Sequence, residues 1–196
     1  SSSNSNVTFA SATTLDADIA ITTGAAGGNI AFNSTLDSDG VAARDLTLTG
    51  GTGNITFTGA VGSGVGTELD AILVNSAANV TAASTVEATS FVQTAGTGTT
   101  QFAAAVTTTG AAGVNVVTDA IDVDGTITTT GTGVVTLTAN GLGAGLGTVD
   151  IEAGANITSD GDVTITALNG ITTAGNVDTS SSNSNVTFAS ATTLDA

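Results

Sequence analysis

The first seventeen residues of this chain occur a second time, unchanged, at residues 180–196, reading SSSNSNVTFASATTLDA in both places. So long a run of identities does not arise by chance, and it defines a long repeat that begins at Ser1 and again at Ser180. Self-similarity at a fixed period is typical of tandem arrays, in which structural units follow one another along a common axis. We therefore predict that residues 1–179 form one full repeat and that residues 180–196 begin the next identical one.

A shorter and less regular repeat lies within the long one. Its units open with a polar residue followed by a brief apolar strand pattern, and successive openings begin roughly 20–25 residues apart. These openings are Asn6–Phe9, Asn29–Phe32, Asn54–Phe57, Asn79–Ala82 and Thr99–Phe102. A second strand pattern follows in each unit, at Ile19–Ile21, Leu46–Leu48, Ile72–Val74, Phe91–Gln93 and Val114–Val116. Later units continue this series more loosely, at Val135–Leu137, Val149–Ile151 and Val163–Ile165.

Strict alternation, as in Leu46-Thr-Leu-Thr49, directs one set of side chains inward and the other outward on a β-strand. A unit of roughly 20–25 residues is too small to bury its own inner face, but stacked units bury it continuously. The sequence therefore predicts an all-β parallel β-helix (β-solenoid), with about eight coils in residues 1–179. An array of two-layer β-sandwiches is the alternative, although such domains have longer units and larger core aromatics.

Two recurring residue types receive structural predictions. We expect the phenylalanines that close the openings, Phe9, Phe32, Phe57 and Phe102, to lie in the core. The asparagines that begin them, Asn6, Asn29, Asn54 and Asn79, fit a turn position that tolerates left-handed backbone. Stacked asparagines also form hydrogen-bonded ladders.

The composition excludes several classes of function. Seventeen acidic residues face one basic residue, Arg44, so the formal net charge is −16 and nothing neutralises the phosphates of a nucleic acid. No apolar run is long enough to insert into a membrane. There is no His, Cys, Lys or Tyr to act as a base or nucleophile. We accordingly expect no enzymatic activity; a carbohydrate-active enzyme built on paired carboxylates is a less favoured alternative.

Calcium is the one cofactor for which the sequence offers ligands. Short acidic turns place carboxylates beside glycines, and hard cations bind such oxygens. The candidates are Asp37, Asp39, Asp122, Asp124, Asp160 and Asp162. A complete calcium-loop motif is absent, and aspartate also favours turns without any metal.

Three segments, Gly51–Gly59, Thr89–Gly98 and Ile127–Thr138, resemble the giant repeat-rich surface proteins of bacteria, the filamentous-haemagglutinin-like and autotransporter-like adhesins. The resemblance covers essentially the whole chain and lies in the kinds of residue used and in the spacing of the repeats. It implies a right-handed parallel β-helix, secretion to the cell surface, and a role in adhesion or in building an extracellular matrix. It supplies no catalytic residues.

Together these observations predict a structural segment of an extracellular filament or adhesin stalk. Its main partner is the same repeat, continued end to end along the fibre axis, either within one chain or between chains. The alternative is a surface adhesin that binds glycans or calcium through its lateral faces or acidic turns. Rows of outward threonines, at Thr47/Thr49, Thr56/Thr58, Thr136/Thr138 and Thr164/Thr166, also leave ice binding as a less favoured alternative.

Overall fold

The computed structural model describes residues 5–195, and this part of the chain contains twenty-three β-strands and no helix. In chain order the strands are β1 (Val7–Phe9), β2 (Thr13–Leu15), β3 (Ile19–Thr22), β4 (Ile30–Phe32), β5 (Leu36–Ser38), β6 (Leu46–Thr49), β7 (Ile55–Phe57), β8 (Leu69–Ser76), β9 (Val80–Ala82), β10 (Val86–Gln93), β11 (Thr99–Phe102) and β12 (Val106–Thr108). They continue with β13 (Val114–Thr118), β14 (Ala120–Val123), β15 (Ile127–Thr129), β16 (Val135–Ala139), β17 (Thr148–Ile151), β18 (Ile157–Ser159), β19 (Val163–Ala167), β20 (Gly170–Thr173), β21 (Val177–Asp178), β22 (Val186–Phe188) and β23 (Thr192–Leu194).

The strands are arranged on three faces that the chain visits in turn. The first face is a nine-stranded sheet of β1, β4, β7, β9, β11, β14, β17, β20 and β23. The second face contains β2, β5, Val61, the start of β10, β12, β15, β18 and β21. The third face contains β3, β6, β8, the end of β10, β13, β16, β19 and β22. The strand pairs are parallel and join successive coils, so the protein is a β-solenoid of about eight turns, as predicted, and not a stack of sandwiches.

Coil length varies more than the sequence repeat indicates. On the first face, the shortest coil carries the chain from Val80 to its register partner Thr100, whereas the longest carries it from Ile121 to Val149. The prediction that Val149–Ile151 continues the series of Val135–Leu137 is therefore wrong, because β17 lies on the first face and β16 on the third.

An extruded loop accounts for that long coil. The chain leaves the solenoid after β16 and returns at β17, and the N–H groups of Gly141 and Gly147 both donate to the carbonyl of Asp119, at 3.2 and 2.6 Å. These two bonds form a neck that closes the loop at its base. Residues 142–146 protrude beyond the neck, and the side chain of Leu142 is 86% exposed.

The core follows the alternation of the strands. In β6 the two leucines are fully buried and the two threonines face outward, and the same pattern recurs in β16 and β19. Three of the phenylalanines form a stack near the beginning of the chain, where Phe9 packs on Phe32 and Phe32 on Phe57. Their ring centroids are 4.8 and 5.5 Å apart and the rings are almost parallel, because successive coils place equivalent residues one strand spacing apart.

Hydroxyl groups occupy the interior at one corner of the second face. Thr108, Thr129 and Ser159 are register partners in three successive coils, and all three are buried. Thr129 Oγ1 donates to the carbonyl of Gly133 at 2.6 Å and shares a 2.8 Å hydrogen bond with the hydroxyl of Ser159. Thr108 Oγ1, by contrast, has no hydrogen-bond partner among the described residues.

This contrast predicts opposite effects for the same substitution. T108V removes an unsatisfied buried hydroxyl at nearly constant volume, so we expect the free energy of unfolding to rise by about 1 kcal/mol. T129V removes two hydrogen bonds and should lower the free energy of unfolding by about 1 kcal/mol. Urea unfolding of both variants measures the difference. Equal destabilisation by the two substitutions would show that the Thr108 hydroxyl has a partner after all.

Candidate functional site

The asparagines that open the units form a ladder along the corner that leads into the first face. Asn6 Oδ1 accepts the backbone N–H of Asn29 at 2.8 Å, and Asn29 Oδ1 accepts that of Asn54 at 2.9 Å. Asn54 Oδ1 accepts both the N–H and the side-chain amide of Asn79, at 3.2 and 2.9 Å. Asn79 Oδ1 accepts the N–H of Thr99 at 2.8 Å. Each carboxamide thus links its own coil to the next.

Of the two reasons expected for asparagine at these corners, left-handed backbone does not apply. In the described part of the chain, the non-glycine residues with positive φ are Thr132 and Asn183, so none of the ladder asparagines adopts the left-handed conformation. Glycine takes that role in the turns, as at Gly51, where φ is 58°. Asparagine serves instead as a side-chain acceptor for a backbone N–H group that the strands leave unpaired.

The ladder predicts that an acceptor oxygen, and not asparagine itself, is required at residue 54. N54A leaves the Asn79 N–H without its acceptor, and we expect the free energy of unfolding to fall by about 1 kcal/mol. N54D retains an oxygen in the same place, as Asp162 does for the N–H of Asn185 at 2.8 Å, so it should be markedly less damaging than N54A. Thermal unfolding of both variants compares them. Equal losses would contradict the proposed role of the acceptor.

Four of the six aspartates proposed as calcium ligands are engaged in hydrogen bonds of the framework. Asp39 Oδ2 forms an ion pair with Arg44 at 2.7 Å, and Asp39 Oδ1 accepts the N–H groups of Val41 and Ala42. The bond from Arg44, followed by the two backbone bonds, lowers the pKa of Asp39 to about 2. Asp37 accepts the N–H of Ser63 in the next coil.

The other two of these aspartates, like Asp37, make contacts between coils. Asp160 accepts the N–H of Gly131 and the hydroxyl of Ser181, while Asp162 accepts the N–H of Asn185. Among residues 5–195, none of these four aspartates belongs to a group of three or more potential metal ligands. The hydrogen bonds of Asp37, Asp160 and Asp162 link neighbouring coils, whereas those of Asp39 hold the local turn that contains Arg44.

Asp122 and Asp124 lie together, and the structure adds a third carboxylate, that of Glu152. Their oxygens lie within 4.8 Å of one another, an arrangement of hard ligands that suits a divalent cation. Glu152 follows β17 as Asp124 follows β14, one coil earlier, so coil stacking places the two side by side. The side-chain amide of Gln101 donates to Asp122 and Asp124 at 3.2 and 2.9 Å, and so already satisfies part of the cluster.

The cluster raises the affinity of Asp122 for a proton. Partial burial is the main cause, followed by repulsion from Asp124, and together with Asp150 and Glu152 these effects raise the pKa of Asp122 to about 6. Gln101 and Glu152 were not identified by sequence analysis. Gln101 is recognisable only through the register, because it is the outward residue of β11 directly below Asp122.

The raised pKa of Asp122 gives a pH-dependent contribution to stability. The folded chain binds this proton more tightly than the unfolded chain, for which the ordinary value is 3.8. The contribution of Asp122 to stability therefore rises as the pH falls from about 7 to about 4. We expect D122N to melt at a higher temperature than the unmodified chain at neutral pH and to lose that advantage near pH 4. The exposed Asp70, changed to Asn, controls for removal of a charge; the same gain at neutral pH from D70N would contradict a role for the cluster.

The outward threonine pairs are distributed over two faces. Thr47/Thr49, Thr136/Thr138 and Thr164/Thr166 lie on the third face, whereas Thr56 lies on the first. Two of the pairs are directly adjacent, because Thr136 and Thr138 are register partners of Thr164 and Thr166. The coils between Thr49 and Thr136 present Leu73, Val92 and Asn115 instead, so the threonine surface is interrupted.

Comparison with known proteins identifies no relative of this chain. A scan against protein-family models, a search of curated proteins and a search of solved structures each find no match to this chain. In the described residues, no helix has the length and hydrophobicity needed to cross a bilayer.

Proposed function

We propose that this chain is a structural segment of an extracellular filament or adhesin stalk built from tandem β-solenoid repeats, similar in kind to the giant bacterial surface proteins. One observation carries the proposal. The segment that repeats the beginning of the sequence is stacked on the preceding coils, with β22 paired to β19 and β23 paired to β20. A new repeat thus adds to the old one by the same parallel pairing that joins coils within the repeat.

The surface of the solenoid suits a long extracellular fibre. Its charge of −16 arises from carboxylates spread along the chain, and self-repulsion of this kind keeps fibres apart in solution. Arg44 is the only residue at which a trypsin-like protease could cut, and its side chain is mostly covered and paired with Asp39. Both features favour persistence outside a cell.

The proposal predicts a characteristic fibre diffraction pattern. If the filament axis is the stacking axis of the coils, the strands run across it, and oriented filaments should give a strong reflection at about 4.8 Å along the axis. One repeat should advance the filament by roughly 37 Å. An antiserum against the chain should label filaments outside intact producing cells. Label confined to the cell interior, or a filament without the axial reflection, would refute the proposal.

A further inference from the structure

The two copies of the repeated segment occupy different faces of the solenoid. In the first copy, Val7–Phe9 lies on the first face, paired with β4. In the second copy the same residues, Val186–Phe188, lie on the third face, paired with β19. The strand that follows shows the same displacement, because Thr13–Leu15 lies on the second face and Thr192–Leu194 on the first.

The displacement has a fixed size of one face. The first-face sheet places seven coil-to-coil steps between β1 and β20. After β20 the chain passes through β21 on the second face and reaches β22 on the third. The period that leads from Ser1 to Ser180 therefore contains seven full coils and two thirds of an eighth, and not a whole number of coils.

The connections between strands permit this displacement. Three residues connect Phe9 to Thr13 across the corner between the first and second faces. Three residues also connect Leu15 to Ile19 at the next corner and Phe188 to Thr192 at the last. Since each corner accepts a connection of this length, the segment is not restricted to one of them.

The interior also accepts the segment on either face. Phe9 packs against Phe32 on the first face, and Phe188 packs on the core with Ile165 as its register partner. The hydrogen bond at the corner before the strand is also kept, with aspartate in place of a ladder asparagine as the acceptor: the N–H of Asn185 donates to Asp162. Buried apolar residues line all three faces, so inward valine and phenylalanine side chains can pack against apolar neighbours on each face.

We infer that successive repeats are related by a rotation of one third of a turn, and that β22 and β23, the first strands of the next repeat, offer their upper edges for the rest of that repeat to pair with in the rotated orientation. This inference rests on the proposed tandem filament and adds the geometry of its junction. Three repeats restore the original orientation. A lateral feature such as the Asp122, Asp124 and Glu152 cluster then recurs on all three sides of the fibre, which has no preferred side.

Cysteine pairs test the orientation in the chain itself, which contains no native cysteine. T164C/T187C joins register partners on the third face if the segment is displaced. T172C/T187C joins neighbours only if the segment returns to the first face, where Thr187 would lie above Thr172. T136C/T164C is the matched control, because these residues are register partners in adjacent inner coils. Dibromobimane, which becomes fluorescent when it bridges two neighbouring thiols, reports each pair at low protein concentration.

We expect bridging of T164C/T187C at a yield close to that of T136C/T164C, with only background fluorescence from T172C/T187C. Bridging of T172C/T187C would overturn the inference. Failure of both test pairs while the control is bridged would also overturn it, since the segment would then not be stacked on β19. Neither of these results affects the diffraction and labelling tests, so loss of the rotation is distinguishable from loss of the filament.

Discussion

Main-chain hydrogen bonding between successive coils is the interaction on which the rest of this structure depends. Most strands have only three to five residues, and their pairing partners lie about twenty or more residues away in the neighbouring coil. A single coil therefore has no stable form of its own, and its backbone groups are satisfied only by the coils above and below it. Stability accumulates along the axis, and both ends present strand edges that resemble the pairing surfaces inside.

This dependence explains how a core with six phenylalanines and no tryptophan, tyrosine or methionine suffices. Each coil adds only a thin layer of Val, Ile, Leu and Ala, but that layer is covered on both sides by equivalent layers. Polar side chains enter the interior where a corner supplies a partner, as at Thr129 and Ser159. Outside, carboxylates and asparagines at the corners accept backbone N–H groups of the next coil. Several of the acidic residues therefore stabilise the stacking of the coils.

The sequence predicted the parts of the fold that depend on short-range periodicity. Alternation in segments such as Leu46–Thr49 specifies which side chains face inward, and the recurrence of short units too small to fold alone requires stacking. Features that depend on register between coils were not accessible. Glu152 joins Asp122 and Asp124 only because a loop lengthens one coil and still returns the chain in register. The displacement of the repeated segment is equally invisible in sequence, because the same letters fit two faces.

The neck formed by Gly141 and Gly147 separates the protruding loop from the coils, so that the length of the loop and the pairing of the strands are largely independent. Because both glycines donate to the carbonyl of Asp119, we expect the number of residues between them to have little effect on the pairing of β16 or β17. Such a site tolerates insertion, and variation there costs mainly loop-closure entropy, which grows only slowly with length. The fold is thus suited to carrying foreign peptides, natural or engineered, as regularly spaced side branches on an unchanged rod.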